Sequence, residues 1–500
     1  MKFSATNKIL YNGFKSFDKG HSNCFLWLEF FTFDSIAVTI SDFLPVYRKN
    51  LALAVPVIFA QIGQVTVNLA DNMMVGHVGT TELAAASFAI NVFHVGMLFG
   101  LGFTLGLTPL VGQSFNAKNP GGVGGWLKNG ILVHFLVAIL LCTLMSSVVF
   151  FMGRMGQREE VVQAAIPYYL IQVASLLPLM LFFSFKQFFE GIGNTKIAMI
   201  ITIVANLLNI GLNYILIFGK LGFPSMGLNG AGVATLISRL IMPVIFLLII
   251  LKKPMLRVFF ESAKIARFEI EKIRRMIYIG LSIGVQMVIE ILAFSIGAIM
   301  LGWISKESLA GHQVAIGMAA MTYMISFGLA SGTTIRVSHA FGDRDRNELK
   351  HAVFASLHIV VAFMALMGFL FIVLRNHLPL LFTSDPEVIK VAAGLLIVGA
   401  FFQIFDGVQV VLLGALRGMA DVRIPMFIAF FSYMLVSLPI SYLLAFVFDF
   451  GYSGVWIGFV FGLSTAAILF GFRLKHQLGK FGRQKGENEK VGKGENDLRD

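Results

Sequence analysis

The chain has 500 residues, a formal net charge of +12 and a mean hydropathy of +0.81. Hydrophobic residues make up 57% of it and charged residues only 13%, which excludes an ordinary soluble enzyme, where the charged share is about 25%. Two cysteines offer neither a disulfide framework nor metal-ligand spacing, and the sequence contains no nucleotide-binding or hydrolase motif. About a dozen transmembrane helices would account for this composition.

Residues 1–46 precede the regular pattern. Their segment NCFLWLEFFTFDSIAVTI is apolar, is interrupted by Glu29 and Asp34, and has no small-residue cleavage site. Two interpretations are open: an interfacial helix, or residues added by an upstream start codon. We favour the second, which makes 1–46 a dispensable extension.

From Tyr47 onward, apolar spans alternate with short polar loops, so we predict an all-α polytopic membrane protein with twelve transmembrane helices. Six spans form an N-terminal bundle (47–251) and six a C-terminal bundle (276–474). Residues 252–275 form a basic linker with an amphipathic helix on the membrane surface, and the charged, Gly-rich tail 475–500 is expected to be disordered. The spans are 51–75, 84–111, 129–152, 164–187, 197–219, 229–251, 276–302, 310–334, 351–374, 390–414, 424–448 and 453–473.

The basic residues predict the orientation of the chain. Loops after even-numbered spans are rich in lysine and arginine, whereas loops after odd-numbered spans hold few. Because cytoplasmic loops carry this excess, both termini are predicted to be cytoplasmic, and the net charge is no sign of nucleic-acid binding. The basic side comprises Lys118, Lys128, Lys186, Lys196, Arg336, Arg344, Arg346, Lys350, Arg417 and Arg423, together with the linker.

An internal repeat relates the two bundles. Gly76 and Gly302 lie 226 residues apart, and the same offset pairs a block of residues without a gap. A slightly larger offset pairs EGIGNTKI (190–197) with LRGMADVRI (416–424). Since each half has an even number of spans, the repeats are parallel, and we expect a central cleft between them. The paired block includes Leu83/Leu309, Ala89/Ala315, Gly102/Gly328, Gly106/Gly332, Thr108/Thr334, Val111/Val337 and Phe115/Phe341.

Three acids lie within the spans: Asp71 in the first, Glu290 in the seventh and Asp406 in the tenth. A charge at the bilayer centre costs about 2.5–3.5 kcal/mol on insertion scales, so such residues normally face a protein interior or a wet cavity. No basic residue is predicted at comparable depth, which predicts an acidic cavity that attracts cations. Four further charged residues are predicted nearer the helix ends: Lys186, Glu190, Arg239 and Arg336.

The two halves carry different acidic positions. Glu290 aligns with Gln64, and Asp71 aligns with Gly297, so we expect two distinct sites rather than one duplicated site. Gln64 and Phe183 are candidates for lining the cleft, although most phenylalanines in membrane helices face lipid or pack.

Two asparagines accompany Asp71. Asn209 and Asn213 are four residues apart and so share one face of the fifth helix. Their amide oxygens and the Asp71 carboxylate are hard ligands of the kind that alkali cations accept, which makes a Na⁺ site possible here. Interhelical hydrogen bonding is the alternative role for the asparagines.

The chain from about Tyr47 to Leu474 resembles the multidrug and toxic compound extrusion (MATE) transporters, especially their NorM-like branch. The resemblance depends on PVIFAQIGQVTVNLADNMMVGHVG, NIGLNYILIFG, GLNGAGVAT and EGIGNTK in the first half. In the second half it depends on the helix with Glu290 and on IFDGVQVVLLGALRG. It implies two six-helix bundles around a V-shaped cleft, and efflux of cationic amphipathic compounds against Na⁺ or H⁺.

The resemblance also implies roles for residues. Glu290 and Asp406 match the carboxylates of a second-half cation site, where Na⁺ is possible, and two nearby carboxyl groups can also share a proton. One departure matters: some relatives carry a tyrosine where this chain has Phe402, a further cleft candidate, which weakens transfer of a specific Na⁺ geometry. The first-half polar cluster matches Asp71, Asn209, Asn213 and Thr235.

From this evidence we expect a monomeric bacterial inner-membrane antiporter with no cofactor beyond its coupling ion. A lipid-linked oligosaccharide flippase of the same superfamily is the nearest alternative, but its cavity should carry several basic residues for a pyrophosphate group. An intramembrane enzyme would need a catalytic dyad or metal ligands, and His94, His134 and His312 are scattered without ligand spacing. The sequence specifies neither the substrate nor the choice between Na⁺ and H⁺.

Overall fold

The computed structural model describes residues 40–496, which are predominantly helical and contain no β-strand. The predicted extension 1–46 lies, up to residue 39, outside the described residues. The helices of the first half are α1 (Ile40–Gly76), α2 (Thr80–Leu105), α3 (Leu107–Asn116), α4 (Pro120–Ser147), α5 (Val149–Met152), α6 (Glu159–Gly191), α7 (Thr195–Phe218) and α8 (Gly227–Lys252). After α9 (Pro254–Ile265) follow α10 (Ile270–Ile304), α11 (Lys306–Gly342), α12 (Arg346–Val373), α13 (Pro386–Gly418), α14 (Arg423–Phe430), α15 (Leu438–Tyr442) and α16 (Gly451–Asn496).

Twelve helical stretches of the described chain are long and apolar enough to cross a membrane. This result confirms the predicted all-α polytopic fold with twelve transmembrane helices. Many helices extend beyond the predicted apolar spans; α11, for example, covers Lys306–Gly342 where the apolar span is 310–334. At about 1.5 Å per residue such a helix exceeds the ~30 Å hydrocarbon core, so its polar end turns project beyond the lipid tails.

Short polar motifs define several helix ends. The Asn119 side chain accepts a hydrogen bond from the Gly122 backbone N–H at 2.8 Å, which caps α4. Asp385 caps α13 in the same way, by accepting from the Glu387 N–H at 3.0 Å. Gly219, with φ 66°, ends α7 in the left-handed conformation that glycine adopts without strain.

The hydrophobic interior consists of two clusters, one for each half. The first helix of each half begins in the cluster of the other half. Ala54 of α1 packs in the second cluster, and Ile279 and Ile283 of α10 pack in the first. These two helices therefore join the halves.

Close backbone contacts hold the first helix of each half against the other half. A Cβ atom on Gly102 would lie 2.9 Å from the Gly284 Cα, and one on Gly332 would lie 3.2 Å from the Ala54 backbone N. Small residues let membrane helices approach in this way. Gly102 of α2 meets α10, and its repeat partner Gly328 of α11 meets α1, so the contacts follow the 226-residue repeat.

A second pair of contacts also follows the repeat, at the predicted cytoplasmic end. Gln113 Nε2 donates to the Gly418 carbonyl oxygen at 3.0 Å, and His339 Nε2 lies 2.7 Å from the Gly191 carbonyl oxygen. Because a carbonyl oxygen only accepts, the His339 Nε2 carries the proton. Each bond crosses from one half to the other and closes this end of the bundle.

The linker and the tail differ in part from the predictions. The predicted linker 252–275 contains the helix α9, but its last residues already belong to α10, which begins at Ile270. The last helix, α16, continues to Asn496 and so includes most of the charged tail that begins at Lys475. Leu478 is buried and Phe481 stacks on Phe341 at 5.0 Å, and these contacts extend the helix beyond the membrane span.

We expect Gly102→Ala to destabilise the protein by about 1–3 kcal/mol, because the new methyl group would press on the α10 backbone. Gly211→Ala is the matched control, since nothing lies within 4 Å of a Cβ there and alanine is the better helix former. Thermal unfolding of both variants in detergent measures the difference. Equal melting temperatures would contradict the close crossing.

Candidate functional site

A polar cluster surrounds Asp71 in the first half. Asp71 lies in α1, and the Asn213 Nδ2 of α7 donates to its Oδ1 at 2.5 Å. Asn209, one turn earlier on the same face of α7, lies 3.3 Å from both Asn213 Nδ2 and the Thr235 hydroxyl of α8. The structure therefore brings together the four residues of the predicted first-half cluster.

The Asn209 amide orientation follows from its neighbours. In one orientation its oxygen faces the Asp71 carboxylate, and two acceptors would then meet without a proton between them. In the other, Asn209 Nδ2 donates to Asp71 Oδ1 at 3.1 Å, and Asn209 Oδ1 accepts from the Thr235 hydroxyl at 3.3 Å. Asp71 then accepts from both asparagines, while the buried Asn213 Oδ1 has no hydrogen-bond partner among the described residues.

Asp71 has a basic neighbour that the sequence analysis placed elsewhere. Arg239 of α8 interacts electrostatically with Asp71. It donates to Gln172 Oε1 at 3.2 Å and to Ser175 Oγ at 2.5 Å, and its guanidinium lies 5.4 Å from the centre of the Phe93 ring. The expectation of an acid without a basic partner is wrong here. Arg239 lies near the middle of α8, and its side chain points into the bundle towards Gln172 and Ser175.

The second cluster is centred on Glu290 of α10. Tyr433 belongs to the π-helical segment Phe431–Ser437, which connects α14 to α15, and its hydroxyl donates to Glu290 Oε1 at 3.2 Å. Asp406 of α13 is only 4% exposed and interacts electrostatically with Glu290, as does Tyr323 of α11. Four helical segments thus converge on the two carboxyl groups.

Arg417 is the basic neighbour of this second cluster. The sequence analysis placed it in a loop, but α13 continues to Gly418 and carries Arg417 in its last turn. Its Nη2 donates to Gln286 Oε1 at 3.1 Å, one turn before Glu290 on α10, and it interacts electrostatically with Glu290. The predicted absence of a nearby base is therefore wrong in this half as well.

The two clusters are not copies of each other. At Gly297, the repeat partner of Asp71, the Phe459 ring fills the space that a side chain would need. Gln64, the partner of Glu290, is exposed, and its Nε2 lies 3.5 Å from Asn68 Oδ1. The Phe459 ring thus excludes an acid from the position equivalent to Asp71, and the position equivalent to Glu290 carries an amide instead of a carboxylate.

The predicted cleft residues occupy different surroundings. Phe183 is half-buried, with its ring 5.4 Å from Phe182. Phe402 is only 3% exposed and packs between Phe294 at 6.0 Å and Trp456 at 5.5 Å. In this conformation Phe402 belongs to an aromatic core rather than to the wall of a cleft.

Sequence reasoning missed Tyr323, Tyr433, Arg239 and Arg417 as neighbours of the acids. One usable signal was the repeat, which pairs Arg417 with Glu190 and so marks a position charged in both halves. The tyrosines gave no such signal, because no motif or spacing distinguishes Tyr323 and Tyr433 from the other tyrosines of the chain.

Both clusters are chemically suited to monovalent cations or protons. No group of three or more His, Cys, Asp or Glu side chains that could hold a metal ion occurs in the described part of the chain. The first cluster offers the Asp71 carboxylate and the unpartnered Asn213 Oδ1, which are oxygen ligands that alkali cations accept. The second offers two neighbouring carboxyl groups, which can hold a cation or share a proton.

A family profile matches the chain twice. The MatE profile covers residues 56–215 and 282–443, and the two segments begin 226 residues apart. The offset is the one that the internal repeat shows.

Named relatives and solved structures agree with this profile. The chain is 32% identical over 432 residues to "Probable multidrug resistance protein NorM" of Rhizobium meliloti, covering 85% of this chain and 92% of that protein. It is 31% identical to the multidrug resistance protein MdtK of Yersinia enterocolitica, covering 86% of this chain and 95% of the relative.

Among solved structures, the eukaryotic MATE transporter AtDTX14 superimposes with a TM-score of 0.79 at 22% identity, over 88% of this chain and 99% of that one. An outward-facing multidrug resistance MATE transporter gives a TM-score of 0.81 at 19% identity, over 87% and 96% of the two chains. At these identities the likeness shows a shared fold.

We expect Asn213→Leu to destabilise the protein by about 1–3 kcal/mol, because Asp71 loses its shortest hydrogen bond while the volume is kept. Asn68→Leu, at an exposed position of α1, is the control. Thermal unfolding in detergent is the measurement, and a melting temperature equal to that of the control would show that the bond contributes nothing.

Proposed function

The chain belongs to the MatE family of membrane transporters, and we propose that it is a secondary active antiporter that exports cationic amphipathic compounds in exchange for Na⁺ or H⁺. The family makes it a transporter and not an enzyme. With twelve membrane-length helices and bacterial relatives, it is a multi-pass membrane protein. We further propose that it is a monomer in the bacterial inner membrane with both termini in the cytoplasm.

Two acid-bearing clusters within membrane-length helices support exchange of cations. Carboxyl groups at this depth are costly and mark ion or substrate paths. Asp71 accepts a hydrogen bond from Asn213 and interacts electrostatically with Arg239. Glu290 interacts electrostatically with both Asp406 and Arg417. The pair Glu290 and Asp406 is the observation that carries the proposal, since two carboxyl groups that interact electrostatically lie within membrane-length helices.

Export of amphipathic drugs is supported by the two relatives described above, which are both named as multidrug resistance proteins. The flippase alternative is less well supported. Its cavity would need basic groups free to hold a pyrophosphate, whereas Arg239 and Arg417 both lie beside acids.

The proposed mechanism is competition for negative charge. When the outward-facing protein takes up Na⁺ or H⁺ at a carboxyl group, binding of the outgoing cation weakens. The effect is reciprocal, because each ligand lowers the affinity for the other by the same factor. Inward movement of one elementary charge gains about 2.3 kcal/mol per 100 mV of membrane potential, which can drive efflux of a less charged compound.

We expect Glu290→Gln to abolish cation-coupled efflux while leaving expression unchanged, because the amide keeps the size of the side chain but cannot attract a cation. Glu307→Gln, at the start of α11, removes an acid from the same half away from the cluster and is the control. Efflux of ethidium, a fluorescent lipophilic cation, from cells expressing each variant measures the effect. Full efflux by Glu290→Gln would contradict a role for the second cluster.

The coupling ion is tested with purified protein in proteoliposomes. We expect ethidium transport against its gradient when either ΔpNa or ΔpH is imposed alone, and no transport without an ion gradient. Asp71→Asn, assayed in parallel, should reduce the driven component. Transport that proceeds equally after both gradients collapse would contradict antiport and indicate a passive pathway.

A further inference from the structure

The linker between the two halves carries an excess of positive charge. Residues 252–275 contain eight basic and three acidic residues, which gives a net charge of +5. Two of the acids already form ion pairs with basic residues of the linker, at 2.6 and 2.8 Å. Three arginines of the linker are exposed and form no ion pair with any described residue: Arg267, Arg274 and Arg275. Their guanidinium groups are therefore available to a ligand outside the protein.

One side of the linker is held firmly against the first half. Leu256 and Ala263 of α9 are buried, and a Cβ atom on Gly124 of α4 would lie 2.6 Å from the Ala263 backbone N. Lys128 Nζ of α4 donates to the Ala266 carbonyl oxygen at 2.7 Å, just after α9 ends. These contacts fix the orientation of α9, so its opposite face points away from the protein.

The outward side of the linker is apolar as well as basic. Val258 and Ile265 are seven residues apart and share the face of α9 opposite the buried Leu256 and Ala263. An apolar stripe beside basic side chains is typical of a helix that lies in the membrane interface. Four large apolar side chains are more than half exposed here: Val258, Ile265, Phe268 and Ile270. We refer to these four residues and the three arginines together as the linker surface.

The neighbouring helices place the linker surface at the edge of the bilayer. Lys252, the last residue of α8, directly follows a turn in which Leu248 and Leu251 are exposed. On α10, Ile270 precedes Met276, the start of the apolar span, by six residues or about 9 Å of helix. The interfacial layer on one side of a bilayer is about 5–8 Å thick. The linker surface therefore lies at the depth of the lipid headgroups and continues the lipid-facing surface of α8.

We propose that the linker surface binds an anionic phospholipid. The arginines bind the headgroup phosphate, because a planar guanidinium can donate two parallel hydrogen bonds to it. The apolar side chains lie against the upper part of the acyl chains. A lipid fits this surface better than a soluble protein does, because its apolar residues are continuous with helix surface that already faces lipid. This binding site is independent of the proposed antiport and of the coupling ion.

The test is binding of lipids labelled on one acyl chain to the purified full-length protein in detergent, followed by fluorescence anisotropy. We expect phosphatidylglycerol to bind about tenfold more tightly than phosphatidylcholine with the same acyl chains, because clustered basic residues attract the anionic headgroup. Raising the salt concentration should reduce this preference, since counter-ions screen exposed charges.

Charge variants locate the headgroup site. The combined variant Arg267→Gln, Arg274→Gln and Arg275→Gln should lose the preference for phosphatidylglycerol and bind phosphatidylcholine as the wild type does. If it does not fold, Arg267→Gln alone should reduce the preference severalfold. Lysine at the same three positions keeps the charge and should retain most of the preference. The matched control removes three exposed basic residues from loops of the predicted opposite side and should keep the preference: Arg154→Gln, Lys220→Gln and Arg375→Gln.

An apolar variant tests the contact with the acyl chains. Val258→Ser combined with Ile265→Ser should weaken binding of both lipids, because it removes apolar area without changing the charge. If it leaves both affinities unchanged, the apolar half of the linker surface takes no part in binding and the proposed lipid site is wrong.

Three further outcomes would overturn the proposal. The first is equal binding of the two lipids by the wild-type protein. The second is an equal loss of preference in the opposite-side control, which would indicate attraction by net charge alone. The third is competition by soluble sn-glycerol 1-phosphate as effective as that by unlabelled phosphatidylglycerol, which would indicate a site for free anions. Because the assay measures no transport, each of these results leaves the antiport proposal standing.

Discussion

The close crossing of helix backbones between the two halves is the constraint on which the rest of the structure depends. Gly102 lets α2 touch α10 near Gly284, and the repeat places α11 against α1 in the same way. Each of the two joined helices begins in the core of the opposite half and continues to its own acid, Asp71 on α1 and Glu290 on α10. A change of angle at these crossings would therefore move both acids relative to the bundles around them.

The backbone contacts follow the internal repeat, whereas the acidic residues do not. The crossings and the reciprocal bonds of Gln113 and His339 follow the repeat closely. The acids do not, because the Phe459 ring occupies the space beside Gly297 where a second copy of Asp71 would lie. Duplication thus preserves the backbone contacts, which need small residues at fixed positions, while side chains in the cavities diverge.

The sequence predicted the features that depend on local pattern. Apolar length predicts the spans, a fixed offset reveals the repeat, and i,i+4 spacing places Asn209 and Asn213 on one face of a helix. It missed Arg417 because hydropathy indicates where apolar residues stop, not where a helix ends. It missed Arg239, which lies inside the predicted span 229–251, because the sequence does not tell where a long side chain reaches. Both arginines lie within helices, and their partners lie far away in the chain. Which tyrosine reaches Glu290 depends on how α10 packs against the helical segment that carries Tyr433, and no local pattern encodes that contact.

The arginines also distinguish the two clusters electrostatically. With all groups ionised, the charges of Asp71 and Arg239 cancel, whereas Arg417 compensates Glu290 and leaves the negative charge of Asp406 over among these residues. At an effective dielectric constant of about 20, one unit charge at about 4 Å contributes roughly 4 kcal/mol, which is larger than a typical hydrogen bond. We therefore propose that the second half attracts a cation more strongly than the first, although the first presents the richer set of amide and hydroxyl groups. In this proposal, the second half attracts the ion by its charge, and the first half selects among ions by the arrangement of its oxygen ligands.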